Sequence, residues 1–280
     1  MNGSPAPDTI TRETLWVSET RAVVAAARRR RLGYGLTRLL VLASVVATWQ
    51  AVATRYDSTL LPGPLEVYRG LVRGWSVIGD AAIATTAEIA IGFAIGGAAG
   101  VVLGALLGQS RSAQRICHPY LVLYQAIPKT GFAPMIVLVL GFGMMPKVAL
   151  AAMSSIFPVL ENTIIGVQRV DEDSLRLFRG LGASPLQLFF KLRLISALPH
   201  ITTGMRAGVV LATVSVVVAE FVAGRIGLGA VMMVGTAQLD TALVFAALLV
   251  LTLVGLAYYF AALLVEGAVL RWFNLAPPAA

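Results

Sequence analysis

The sequence predicts an all-α integral membrane protein with about six transmembrane helices. Three observations carry that reading. The 280 residues are 58% hydrophobic and 13% charged, against about 25% charge in an ordinary soluble domain. Six apolar stretches approach the roughly 20 residues that cross a hydrocarbon core as helix. Lysine and arginine are shared unevenly between alternate connections, as expected of a multi-pass chain.

The elements follow in order. Residues 1–31 form a tail whose first part, MNGSPAPDTITRETLWVSET, has the polar, Pro/Ser/Thr-rich composition of disorder. The basic RAVVAAARRRR after it either lies along an anionic membrane surface or only fixes orientation. Residues 32–275 read as one transmembrane domain, and 276–280 as a short tail. Segment one, 36–53, reads as a signal anchor. Its Ala51-Val52-Ala53 resembles a cleavage site, but Arg38 interrupts the apolar stretch and the preceding region is long. Residues 59–71, TLLPGPLEVYRGL, open on proline-glycine turn signals and continue as a short interfacial helix.

Segments two to six are placed at 81–108, 119–140, 148–167, 205–224 and 241–265. Segment two carries Gly92, Gly96, Gly100, Gly104 and Gly108, one every fourth residue. Such a ladder strips one helix face of side chains and lets another backbone approach. Lys129 and Glu161 interrupt segments three and four.

Charge sets the orientation. With the N-terminus inside, sixteen basic residues face inside: those through Arg38, then Arg111, Arg115, the basic residues of 168–206, and Arg271. Five face outside: Arg55, Arg69, Arg73, Lys147 and Arg225. Both termini are therefore expected in the cytoplasm, and the net charge of +8 answers to topology rather than to nucleic acid. The single Cys117 makes no internal disulfide, and the separated His118 and His200 offer no metal site. No Ser/His/Asp set is recognisable, which argues against an enzyme.

The longest inside loop, 168–204, holds RLFRGLGASPLQLFFKLRLISALPH. Leu175, Phe178 and Leu181 share one helix face, Gly182 stops that helix, and Ser184-Pro185-Leu186-Gln187 reads as a capping box that opens a second. Leu186, Phe189 and Phe190 are expected to form the second helix's apolar face, Lys191 and Arg193 its C-terminal end, and Pro199 its stop. A helix–turn–helix with exposed aromatics either floats on lipid or docks in a soluble partner's groove.

This loop resembles the EAA loop of ABC importer permeases, through RLFRGLGAS, Phe189, Leu194, Leu198 and Pro199. LLPGPLEVYRGL, QAIPKTGFAPMIVLVLGFG, FPVLENTIIGVQRVDE and AEFVAGRIGLGAVM extend the likeness to the nitrate/sulfonate/taurine branch of binding-protein-dependent transport permeases, over 36–273. Arg176 stands where that family often has glutamate, Phe178 where alanine is usual, and Ile195 replaces a proline.

The resemblance implies a type I importer fold in a bacterial inner membrane, working as a permease pair above two ATPase subunits, with a solute-binding protein outside. Arg179, Gly182, Ala183, Ser184, Leu186 and Phe189 would form the cytoplasmic coupling helix. ATP and Mg²⁺ would sit on the ATPases, since the chain has no GxxxxGKS loop and is expected to bind no cofactor itself. The solute would be a small, anionic organic or inorganic species. Gly227 and Gly229 would help close the outer gate, although a simple re-entrant turn explains them equally well. Glu220, near the outer end of segment five, and Lys129 are candidates for the solute path. Lys129 has a plainer reading, as a partner of Glu88 or Glu161 or snorkelling to an interface. The competing class is a self-sufficient secondary transporter, which would show internal repeats and midplane acids placed for ion coupling. Neither is evident in the sequence.

Overall fold

A computed structural model describes residues 37, 40–55 and 61–275. The tails 1–31 and 276–280 lie outside the described residues. The chain divides into two units, Met1–Leu65 and Glu66–Ala280. In the first, Leu40–Ala53 forms helix α1, and Trp49 donates its indole N–H to the Pro62 carbonyl at 3.2 Å.

Helix α2, Pro64–Arg73, leads into α3, Trp75–Gly108. Then come α4 (Arg111–Ala126), a 3₁₀ turn (Lys129–Phe132), α5 (Ala133–Leu140) and α6 (Met144–Gln168). The hairpin helices are α7 (Glu172–Gly180) and α8 (Pro185–Leu188), the latter running through a π turn, Phe189–Arg193, into α9 (Leu194–Ala223). Helices α10 (Leu228–Ala237) and α11 (Thr241–Trp272) complete the chain. No strand occurs among the described residues.

Four stretches are long and apolar enough to cross a membrane without interruption: α3 with 34 residues, α6 with 25, α8 through α9 with 39, and α11 with 32. Each exceeds the segment read from sequence, because helix continues past the point where hydropathy falls. The third segment differs from expectation. It is not one helix but the pair α4 and α5, bent by 67° at a break. Ile127 is extended (φ −68°, ψ 125°), as a residue before proline prefers.

Helix α6 is the centre of this unit. Helix α3 runs parallel to it, and the glycine ladder is the seam. A methyl group at Gly92 would overlap Ala151, and one at Gly96 would overlap Ser155 and Ala152. At Gly100, Gly104 and Gly108 it would come within 2.7, 2.6 and 2.9 Å of Ile156, Leu160 and Val167. In lipid, where apolar surface gains nothing by leaving the solvent, such close backbone approach supplies the packing energy. Helix α9 runs antiparallel to α6. Ala197 lies on Gly166 near one end, Ser215 donates to Ser154 at 2.6 Å, and Ala219 packs with Leu150 and Ala133 near the other. Helix α11 lies outermost, with an Arg206–Glu266 pair at 3.1 Å tying it to α9. Helix ends therefore gather into a hairpin end (Gly108, Gln168, Leu194, Trp272) and a far end (Trp75, Met144, Ala223, Thr241).

Candidate functional site: the hairpin and the far-end polar core

At the hairpin end, Asp171 caps α7, accepting from the Ser174 N–H at 3.2 Å. The turn works through Gly182, whose φ of 75° lies in the left-handed region. There a Cβ costs about 1 kcal/mol or more. Ser184 and Gln187 then bond reciprocally: the Gln187 N–H donates to the Ser184 hydroxyl at 3.3 Å, and the Ser184 N–H donates to the Gln187 carbonyl oxygen at 2.9 Å. The two helices are thus fixed by local bonds rather than by burial. Arg179, Gly182, Ser184 and Leu186 are exposed, whereas Ala183 and Phe189 are half-buried. Leu177, Leu181, Leu186 and Phe190 hold out 61%, 77%, 70% and 56% of their surface.

Three sequence expectations are corrected here. Leu188, not Leu186, is the buried residue of α8, because the wider π turn shifts the phase of the helix. Lys191 and Arg193 do not end a helix; they lie in that π turn, and Arg193 reaches the Gln109 carbonyl at 3.4 Å. Pro199 does not stop the element but lies buried inside α9, so the hairpin and the span form one continuous rod. A kinked or proline-bearing membrane helix survives where neighbouring groups satisfy its backbone.

At the far end, polar side chains meet where the sequence offered only scattered charges. Glu220 is 1% exposed. It accepts from the Thr85 hydroxyl at 2.6 Å and from the Gly229 N–H at 2.7 Å. Thr85 in turn accepts from the Leu228 N–H at 2.9 Å. Two orphan donors at the start of α10 are thereby satisfied by a carboxylate and a hydroxyl, in keeping with the helix dipole. Gly227 takes φ 135° at a point where a side chain would overlap the Glu220 carboxyl. A Cβ on Gly229 would lie 2.8 Å from that of Glu220.

Next to this lies a second bond set that sequence reasoning missed. Lys147, assigned by charge counting to an outside loop, is 2% exposed. It donates to Glu88 at 2.5 Å and to the Ile226 carbonyl at 2.7 Å. Glu88 therefore pairs with Lys147 and not with Lys129, and Glu161 is exposed on α6. The only hint was a single charge isolated in each of two apolar runs. The two sets together clamp α3, α6, α9 and α10 around the 224–227 turn, beside a cleft of about 480 Å³ lined by Asp80, Arg225 and Val234. Lys129 is elsewhere, at the α4–α5 break, half-buried and 4.6 Å from the Tyr124 ring centre.

Residues 96–271 match the family described as the binding-protein-dependent transport system inner membrane component. The chain belongs to this family. A riboflavin transport system permease of Chloroflexus aurantiacus is 34% identical over 86% of this chain and 90% of its own. A putative aliphatic sulfonates transport permease of Bacillus subtilis is 29% identical over 92% and 94%. An inward-facing methionine ABC transporter structure shares the fold at 19% identity, with TM-score 0.54 over 71% of this chain and 95% of that one. The permease is thus a multi-pass inner-membrane component of an ABC importer with the type I fold, a transport subunit rather than an enzyme. Its hairpin and its far-end core lie at opposite ends of the α6–α9 pair.

Proposed function

We propose that this permease forms the solute pathway of an ATP-driven importer, working as two copies on two ATPase subunits and receiving solute from an external binding protein. The hairpin end is cytoplasmic, as are both termini. Arg179, Gly182, Ala183, Ser184, Leu186 and Phe189 form the coupling element, with Leu177, Leu181 and Phe190 as further apolar anchors. The solute is a small organic or inorganic anion of the sulfonate, taurine or nitrate kind. The likeness to a sulfonate permease supports that class, and the likeness to a riboflavin permease widens it to heteroaromatic acids.

One observation carries the reading. The exposed apolar anchors of the hairpin stand on a turn that is locked by its own hydrogen bonds and continuous with α9. A push on that turn moves the span as a lever. The lever ends at Glu220, which holds α10, so closure of the ATPases would be relayed to the far-end turn as an outer gate. Glu220, Gly227 and Gly229 act there in positioning the gate, not in touching solute.

Inserting two residues after Gly182 tests this. The expected result is normal membrane insertion and ATPase binding, with ATP hydrolysis no longer linked to uptake. Undiminished uptake would refute the lever.

A further inference from the structure

Charged groups at membrane depth are costly, and nearly all of them here are matched within the chain. Glu88 has Lys147, Arg206 has Glu266, and Glu220 has Thr85 and the Gly229 N–H. Lys129 stands apart. Among the described residues no carboxylate lies within 4.0 Å of its ammonium. Its contacts are the Gln125 carbonyl at 3.5 Å, the outer limit of a hydrogen bond, and the Tyr124 ring at 4.6 Å.

Its position is as unusual as its charge state. Lys129 begins the 3₁₀ turn at the break between α4 and α5. The depth is bracketed by two contacts: the Tyr124 hydroxyl donates to the Met153 carbonyl at 2.5 Å, and Ala133 packs on Leu150. These α6 residues lie six to nine positions from Met144, the start of α6, hence about 9–14 Å from the far end. Broken helix at such depth is tolerated where it lines a protein- or water-filled cavity, not where it meets lipid. Helix α4 buries no residue against its own chain, so this segment presents an open flank. Tyr124 covers one side of the ammonium by a cation–π contact. Leu123, Ile127 and Phe132, 63%, 43% and 40% exposed, make the surroundings apolar.

A desolvated cation with an aromatic support and an apolar rim matches one ligand chemistry: an organic monoanion with its oxygens on the ammonium and its body on the rim. We propose that Lys129 is the anion-recognition point of the solute path, and that it engages the sulfonate or carboxylate of a passing solute. This rests on the permease reading and adds to it the residue that favours negative charge. Tyr124 is a positioning residue: it holds the ammonium toward the path and its hydroxyl anchors the broken segment to α6.

The test uses the wild-type chain assembled with its ATPase in nanodiscs. The chain has three lysines, Lys129, Lys147 and Lys191, so acetylation by a water-soluble, charged amine reagent is resolved site by site by mass spectrometry. Lys129 is expected to react, and about 10 mM ethanesulfonate or benzoate to slow it at least about threefold, as a ligand with Kd near 5 mM would. Benzamide, the neutral shape-mate of benzoate, is expected to leave the rate unchanged, and Lys191 reports any general effect on the reagent. Protection by one anion alone assigns the headgroup, sulfonate or carboxylate. An unreactive Lys129, covered by the second copy, or a rate indifferent to both anions, overturns the proposal. Failure of the chain to hold an ATPase at all would instead count against the permease reading.

Discussion

Replacing Glu220 with alanine is the sharpest probe of the far-end core. The substitution removes two bonds to a carboxylate that is 1% exposed: Thr85 at 2.6 Å and the Gly229 N–H at 2.7 Å. Bonds to a charged group are worth about 1.5–3 kcal/mol each, which puts the loss at about 3–6 kcal/mol. Removing a buried charge also recovers part of its desolvation cost. The net effect is therefore set at the lower end, about 3 kcal/mol.

That energy falls on the 224–227 turn and the start of α10, because only they depend on Glu220 from outside α3 and α9. Local opening there would rise about 150-fold for about 3 kcal/mol. Arg225 sits exposed in the turn and is a trypsin site. Proteolysis tracks the open population when reclosing is fast, so cleavage after Arg225 in the purified protein is expected to accelerate by about that factor. Glu220→Gln keeps one acceptor oxygen and is expected to fall between. A rate for Glu220→Ala within about threefold of wild type would refute the reasoning, since that ratio corresponds to under 1 kcal/mol.

Other perturbations have defined outcomes. Glu88→Leu strands the buried Lys147 ammonium and is expected to cost about 3–5 kcal/mol in unfolding, whereas Glu88→Leu with Lys147→Met is expected to return most of it. Equal losses for the single and double variants would contradict the pairing. Gly96→Leu forces α3 from α6 against the Ala152 backbone and is expected to abolish a stable fold in detergent. Gly79→Ala, where the nearest atom is the Trp75 ring at 3.9 Å, is expected to be neutral and controls for loss of helical glycine. Ser184→Ala removes half of the capping box and is expected to cost about 1 kcal/mol locally, read as faster amide exchange at 184–187 with α7 unchanged.

Local features were legible in the sequence. Gly182 and the Ser184–Gln187 box act within three residues, so residue type and spacing suffice to place them. The glycine ladder shows which face of α3 is bare, but not that its partner is α6, since no pattern within segment two encodes it. Pairing across distance was hidden. Glu88 and Lys147 lie 59 positions apart, and Lys147 looks like an ordinary flanking charge until α6 is seen to start before it. The misread face of α8 has another origin. Its i, i+3 extrapolation assumes 3.6 residues per turn, and the π turn at Phe189–Arg193 breaks that period. Pro199 misled because proline ends helices in water more strictly than in a packed membrane bundle. The break at 127–132 was signalled by Pro128, yet hydropathy ran on through it and suggested one span.

The central claim is that the hairpin couples this chain to an ATPase, and its most direct test is co-purification. The chain is expressed with candidate ATPase subunits from the same genome, alongside a variant carrying Leu181→Asp and Leu186→Asp, two exposed anchors whose replacement leaves the core untouched. The account predicts that the wild type retains an ATPase through gentle solubilisation with ATP hydrolysis, and that the variant inserts normally but retains none. An equal yield of ATPase with both chains would contradict it.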